Sequence, residues 1–318
     1  MPHILVAGKI HPSGVDLLDA APGVTYTLVE EVSEPSYAAH MAKADAVVIR
    51  TQPMSAATIA MAPNLKIVSR HGVGFDAVDV NVLNSRHIPL AIVGDVNSGS
   101  VAEHAMMLIL AASHRLIRAD QSIRTGNWGW RNRLEASEVA GKRLLIVGYG
   151  RIGRNLARMA AAFDIEVVAY DPFLFKAGWP DGDVVPVSNF MQALTSADII
   201  SLHVPKPDKP VLGTAEFAVM KKGAIIINTA RGGLVDELAL AEALKCGKVG
   251  AIGFDVFDDE PPAADHLLIG FDQAILTPHN AALTLECGER MAIQSVQNVL
   301  NFFAGKLDSS LIVNKDHI

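Results

Sequence analysis

Short apolar runs alternate with polar, helix-forming stretches along almost the whole chain. In the first part they fall at 4–7, 26–29, 46–49, 66–69 and 90–93, the length and bounding expected of buried strands. Between them, segments with helical spacing follow Ser13 (VDLLDAA), Ser36 (YAAHMAKA) and Ser55 (AATIAMA), serines that suit helix N-caps. In the second part, apolar runs recur at 143–147, 167–170, 184–187, 198–203, 224–228, 250–256 and 273–277. Two long helical patterns stand apart from this rhythm. One covers 97–118, with Ser100 as its expected start and Glu103 close to a capping box; the other covers 281–305. Strands alternating with helices predict α/β architecture, a parallel sheet covered by helices on its faces. No internal repeat interrupts the pattern.

The stretch 141–171, GKRLLIVGYGRIGRNLARMAAAFDIEVVAYD, adds a specific element. A strand leads into Gly148, Gly150 and Gly153, a helix follows with Leu156, Met159, Ala160 and Phe163 near helical spacing, and a second strand ends in Asp171. This is the dinucleotide fingerprint in its full context. Gly148 permits the tight turn, Gly150 lets backbone approach a pyrophosphate, Gly153 allows close helix-to-strand packing, and the helix N-terminus offers N–H groups to phosphate. Asp171 suits both hydroxyls of an adenosine ribose and opposes a 2′-phosphate, which predicts NAD over NADP. The first part lacks a glycine-rich loop after its first strand, so its task is expected to be something other than holding a nucleotide.

Length and composition narrow the picture. With 318 residues, half of them apolar, two domains with buried cores are expected. A net charge of −7 leaves no basic footprint for nucleic acid, and no apolar stretch reaches membrane-spanning length. The chain enters its first strand without a basic leader region, so no targeting segment is expected, and regulation by a third, ligand-binding domain is not expected either. Cys246 and Cys287 are the only cysteines, which fits a reducing, cytoplasmic setting and no metal site. His104 reads as a packed helical residue rather than a catalytic one. Trp128 and Trp130, in the polar linker 124–138, suit either a covering role or a subunit contact.

The candidate chemistry clusters at the carboxyl ends of predicted strands, where ligands of parallel sheets sit. These residues are His203 and Pro205 (HVP), Thr229 and Arg231 (NTARG), Asp255 and Glu260 (GFDVFDDEP) and His279 (TPH). A nicotinamide reaction needs a proton-handling partner, and a histidine serves both directions. His279 is the candidate, placed where its ring projects past a strand. A carboxylate on the far ring nitrogen fixes the tautomer and favours the protonated form, and Glu260 is placed for it. Arg231 offers a planar fork for a substrate carboxylate and carbonyl.

In the order GYGRIG, Asp171, HVP, NTARGGLVDE, GFDVFDDEPP and TPHNAALTLECGERM, the chain resembles the D-2-hydroxyacid dehydrogenase family, which contains phosphoglycerate dehydrogenases and glyoxylate or hydroxypyruvate reductases. The resemblance extends to RHGVGFDAVDV and NSGSVAEHA and so covers nearly the entire chain. It implies that Arg231, Glu260 and His279 are catalytic. It implies cofactor contacts at Gly148, Gly150, Arg151, Ile152, Gly153, Asp171, Pro205, Thr229, Ala230 and Asp255, and substrate contacts at Arg50, Val73, Gly74, Arg231 and His279. The implied fold is two Rossmann- or flavodoxin-like doubly wound domains with a cleft between them. A discontinuous substrate domain would comprise 1–97 and 287–318, and an NAD domain 98–286. The implied assembly is a homodimer through the NAD domain, using the long helix and the tryptophan linker.

The expected function is therefore NAD-dependent interconversion of a D-2-hydroxy acid and its 2-keto acid. Candidate substrates are 3-phosphoglycerate, or glyoxylate and hydroxypyruvate, with Arg50 and His71 placed to receive a phosphate. An NAD(H)-binding regulatory protein is the alternative, disfavoured by the complete Arg, Glu and His set. Formate oxidation needs no acid–base pair, and relatives that perform it replace the glutamate with an amide, so Glu260 speaks against it.

Overall fold

The computed structural model describes all 318 residues, and the chain divides into two compact units. Unit 1 comprises Met1–Asn97 with Leu283–Ile318, and unit 2 comprises Ser98–Ala282. The second crossing therefore lies four residues before the expected 286/287 boundary. The reason is local: the last long helix begins at Leu285, capped by Thr284, whose hydroxyl accepts from Cys287 N at 3.2 Å, so helix and cap stay together in unit 1.

Unit 1 holds strands β1 (His3–Ala7), β2 (Thr25–Val29), β3 (Ala46–Ile49), β4 (Ile67–Arg70) and β5 (Leu90–Ala91). They form a parallel sheet in the order β2-β1-β3-β4-β5. Helices α1 (Pro12–Ala20), α2 (Glu34–Ala38), α3 (Ala56–Ala60) and α4 (Val80–Ser85) link them. β3 is buried along its whole length, which explains its unbroken AVVI run: a central parallel strand has apolar cover on both faces. β5 is shorter than its apolar run because the C-terminal tail takes over, with Ile92 N donating to Leu311 O at 2.9 Å. The predicted starts of two helices slip. His11 caps α1, its Nδ1 accepting from Ser13 N at 3.3 Å, and Pro12 fills the first turn. Ser33 caps α2, and Ser36 Oγ donates to Ser33 O instead. Ser55 caps α3 as its position predicts.

Unit 2 opens with α5 (Ser98–Ser113) and α6 (Leu116–Arg124). The single helix expected over 97–118 is broken, and Ser100 lies inside α5 rather than at its start. At the break Arg115 adopts φ +54, a strained state for a residue with a β-carbon, and it donates from Nη1 to Gly250 O at 2.8 Å. The strands are β6 (Arg143–Val147), β7 (Glu166–Tyr170), β8 (Val185–Pro186), β9 (Ile199–Leu202), β10 (Ala224–Asn228), β11 (Val249–Phe254) and β12 (Ala274–Leu276). Between them run α7 (Arg151–Ala161), α8 (Pro172–Ala177), α9 (Phe190–Ser196), α10 (Thr214–Val219) and α11 (Glu237–Lys245), and α12 (Leu285–Phe303) returns to unit 1. The sheet order is β12-β11-β10-β9-β6-β7-β8, with every pairing parallel. β8 is a two-residue edge strand containing Pro186, where a missing N–H costs no ladder bond. Phe163, expected on the buried face of its helix, lies beyond the helix end and is exposed. No helix is long and apolar enough to cross a membrane. In both units the strand order reverses beside the first strand of the sheet, between β1 and β3 and between β6 and β9, which opens a crevice at the carboxyl edge.

Candidate active site

The crevice of unit 2 lies where β6 meets β9, and the glycine turn fills it. Gly148 has φ +93, and a β-carbon there would stand 2.5 Å from His203 O and 2.7 Å from Val204 Cγ1. At Gly153 a β-carbon would meet Gly148 O at 2.4 Å, so this residue sets the distance between α7 and the strand. Gly150 differs from both. Nothing lies within 4 Å of its missing β-carbon, and it caps α7 without a side chain. Open space in front of a helix N-terminus, flanked by Arg151 and Ile152 in the first turn, fits a pyrophosphate.

Asp171 ends β7 and caps α8. Its Oδ1 accepts from Phe173 N and Leu174 N, each at 3.0 Å, and its Oδ2 accepts from Tyr149 N at 3.0 Å. Tyr149, in the middle of the glycine turn, is buried and stacks on Trp179 with ring centroids 5.1 Å apart. The carboxylate is thus held in place by three N–H groups and keeps further lone pairs for a ribose. On the opposite side of the crevice, β9 leads to His203 and the exposed Pro205. His203 pairs Nε2 with Ser201 Oγ at 2.8 Å, while its Nδ1 is buried without a partner. Burial pushes this imidazole down to about 4, so it is neutral at physiological pH.

β10 ends in a turn clamped by Asn228, which is buried. Its Oδ1 accepts from Ala230 N at 3.1 Å and its Nδ2 donates to Arg231 O at 2.8 Å. Thr229 Oγ1 lies buried beside this turn with no partner, an unsatisfied hydroxyl of the kind a ligand completes. Open space at Gly150, fixed acceptors on Asp171 and this orphaned hydroxyl together fit a dinucleotide. Arg231 donates from Nη1 to Ala230 O at 2.5 Å.

Two loops carry the remaining chemistry. Beyond β11, Glu260 Oε1 accepts from Phe257 N at 3.1 Å. Beyond β12, the ring Nδ1 of His279 lies 2.6 Å from Glu260 Oε2. Burial alone would raise the Glu260 carboxyl. The hydrogen bond and charge of His279, the Phe257 N–H and the positive charge of Arg231 outweigh it, and the net effect is a lowered value. His279 sits in a turn, φ +49, six residues before α12 starts, so its ring is presented by strained backbone and not by a helix. Half of its side chain is exposed, which leaves Nε2 available. The Arg231 and Glu260 loops touch at Gly232, where a β-carbon would stand 1.8 Å from Phe257 O. Asp255 is fully buried at the end of β11. It holds the His279 turn from below, accepting from Asn280 N and Ala281 N at 2.9 Å each.

Of the predicted substrate residues, Arg231 and His279 lie in unit 2 as described, and Arg50, Val73 and Gly74 lie in unit 1, at the carboxyl edge of its own sheet. Arg50 follows β3, donates from Nη1 to Lys9 O at 3.0 Å, and is partly desolvated by burial, which lowers its value. Val73 and Gly74 follow β4, and their N–H groups have no hydrogen-bond partner in the protein. His71, buried just before them, has Nε2 without a partner, as has Gln52 Oε1. Burial, then the charges of Arg50 and Arg70, push His71 down to about 4. This strand edge is therefore electropositive, with open N–H groups, and suits an anion.

Residues 106–281 match the family described as D-isomer specific 2-hydroxyacid dehydrogenase, NAD binding domain. The D-3-phosphoglycerate dehydrogenase of Archaeoglobus fulgidus is 36% identical over 305 residues, which is 95% of this chain and 57% of that protein. The chain belongs to the D-isomer specific 2-hydroxyacid dehydrogenase family. It is also similar to the glyoxylate reductase of Thermofilum pendens, 37% identical over 274 residues, covering 84% of this chain and 80% of the relative. Among solved structures, the TT0316 protein of Thermus thermophilus superposes with a TM-score of 0.89 at 29% identity, covering 98% of this chain and 99% of that one. The chain spans 57% to 59% of the length of the phosphoglycerate dehydrogenases it matches.

With membership of this family, unit 2 takes NAD as its cofactor. The residues that sequence reasoning passed over all act on the backbone of the site's turns and loops, without a side chain that would meet a ligand. Tyr149 holds Asp171 by its N–H, Asn228 clamps the Arg231 turn, and Gly232 sets the approach of the Glu260 loop. Of these, only Gly232 has a sequence signal, as the first glycine of the pair in NTARGG.

Proposed function

We propose that this protein is an NAD-dependent dehydrogenase interconverting a D-2-hydroxy acid and its 2-keto acid. The observation that carries the reading is the 2.6 Å bond between His279 Nδ1 and Glu260 Oε2, with Arg231 close enough for its charge to lower the Glu260 carboxyl. NAD, when bound, supplies a hydride in one direction and accepts it in the other. In the reducing direction, His279 donates a proton from Nε2 to the substrate carbonyl oxygen, and Glu260 holds the ring and balances its charge. Arg231 orients the carbonyl and the adjoining carboxylate. In the oxidising direction, His279 takes the hydroxyl proton.

Cofactor contacts are assigned to Gly148, Gly150, Arg151, Ile152, Gly153, Asp171, Pro205, Thr229, Ala230 and Asp255. Substrate contacts are assigned to Arg231 and His279, and to Arg50, Val73 and Gly74, whose open N–H groups suit a carboxylate. The positive field around His71 supports an anionic substrate such as 3-phosphohydroxypyruvate, alongside glyoxylate and hydroxypyruvate. The reading includes a homodimer through unit 2, supported by the exposed apolar side chains of Leu116, Ile117, Ile123, Trp128 and Leu134. It also includes a cytoplasmic location, supported by two unpaired cysteines.

The test is NADH and NADPH oxidation with glyoxylate, hydroxypyruvate and 3-phosphohydroxypyruvate. Turnover with NADH on at least one acid is expected. Tight NADH binding without turnover on these or a wider set of 2-keto acids would favour the regulatory alternative.

A further inference from the structure

A chain of polar groups runs from α5 to the turn that carries His279. His104, on α5, places Nε2 3.0 Å from Thr277 Oγ1 and 3.6 Å from Asp255 Oδ1. Thr277 Oγ1 lies 2.5 Å from Asp255 Oδ1. The Asp255 carboxylate then accepts the N–H groups of Asn280 and Ala281, and His279 N donates to Thr277 O at 3.0 Å. His279 is enclosed by these bonds in the left-handed conformation, φ +49, which a residue with a β-carbon keeps only when its surroundings hold it.

The directions of these bonds follow from counting protons. An ionised carboxylate only accepts, and the threonine hydroxyl has one proton to give. At 2.5 Å from Oδ1 that proton goes to Asp255, so Thr277 presents a lone pair to His104, and His104 Nε2 must carry the N–H. With Nε2 bare, one hydroxyl proton would face two acceptors beside the buried Asp255, and one contact would become lone pair against lone pair, which is costly in a largely desolvated site.

We propose that His104 is a positioning residue. By donating from Nε2 to Thr277 it fixes the direction of the Thr277–Asp255 bond and thereby the strained turn on which His279 stands. The inference rests on the dehydrogenase reading above. A purely space-filling His104 would be replaceable by any side chain of similar volume, and this gives the test.

Turnover of hydroxypyruvate with NADH is measured for the unmodified protein, His104→Leu, His104→Gln, Thr277→Val and Thr277→Ser, together with NADH binding by fluorescence and thermal midpoints. His104→Leu removes the donor at similar volume and is expected to lower kcat about tenfold to a hundredfold while NADH affinity stays within about threefold. His104→Gln, whose amide supplies an N–H, and Thr277→Ser, which keeps the hydroxyl, are expected to recover most of kcat. Thr277→Val is expected to match His104→Leu, with no additive loss in the double variant. The proposal is overturned if His104→Leu stays within about twofold of the unmodified protein. It is also overturned if His104→Gln is as impaired as His104→Leu, or if lost kcat follows lost NADH binding and a lowered thermal midpoint. An unmodified protein that reduces no 2-keto acid overturns the dehydrogenase reading and this inference with it; an active one indifferent to His104→Leu overturns this inference alone.

Discussion

Replacing Gly232 with alanine tests whether the Arg231 and Glu260 loops work as one piece. The new β-carbon would stand 1.8 Å from Phe257 O, 2.4 Å from Phe257 C and 2.8 Å from Asp258 N. All three are backbone atoms, so no side-chain rotation relieves the clash. Reaching even the tightest contact seen for real β-carbons, 3.0 Å, requires the loops to part by at least about 1.2 Å. Glu260 is tied to this segment by the Phe257 N–H at 3.1 Å, and it meets His279 at 2.6 Å. A displacement of that size breaks the short bond, and misplacements near 1 Å cost on the order of a hundredfold in rate. Overpacking adds roughly 1–3 kcal/mol of destabilisation. The expected result is a kcat near 1% of the unmodified protein, with a smaller loss of NADH affinity, because Thr229 and Ala230 lie on the displaced loop whereas the glycine turn at 148–153 is built on another strand. Steady-state kinetics with hydroxypyruvate and NADH fluorescence titration measure the two. A Gly232→Ala protein with kcat within about threefold of the unmodified one would refute the claim that these loops set the position of Glu260.

Further outcomes follow from other positions. Asp171→Ala removes the cap of α8 and, on the proposed reading, the ribose acceptor; NADH affinity should then fall about tenfold or more, any excess of NADH over NADPH affinity should shrink, and stability should drop by about 1 kcal/mol. Fluorescence titration with both cofactors and urea unfolding check these effects. His203 gives a pH signature. Its folded value is depressed to about 4 by burial, whereas the unfolded chain protonates near 6.5. Stability is therefore fully present above about pH 6.5 and is lost as pH falls toward 4, by up to about 3 kcal/mol for this residue. All three tryptophans, Trp128, Trp130 and Trp179, lie in unit 2, so tryptophan-monitored urea unfolding between about pH 7.5 and 5 reads the effect there, and His203→Gln should flatten the slope.

Much of this molecule was legible because its central strands are buried on both faces. Runs such as RLLIV and AIIIN mark β6 and β10 without ambiguity, and the positions after them carry the candidate functional residues. The glycine fingerprint was legible for the same reason, since each glycine answers a separate steric demand. What escaped was decided by backbone geometry that composition does not encode. The break at Arg115 interrupts an apolar run that reads as one helix, because the left-handed residue is stabilised by a carbonyl distant in sequence, Gly250 O. The cap of α2 falls at Ser33 and not at Ser36 because SEPS offers two serines, and the first one takes the bond. His104 reads as a packing residue, and its partner Thr277 lies 173 positions away. Tyr149 contributes through its main-chain N–H, which leaves no residue-type signature, and Asn228 turns its side-chain amide onto the backbone of its own turn, a local bond that an asparagine at a strand end does not announce.

The central claim is that His279, held by Glu260, handles the proton while NAD handles the hydride. Its most direct test is single-turnover reduction of hydroxypyruvate by protein-bound NADH, comparing the unmodified protein with His279→Asn. The account predicts NADH affinity within about threefold and a reduction rate lowered by at least about a hundredfold, consistent with loss of general-acid catalysis. Reduction by His279→Asn at an undiminished rate would contradict it.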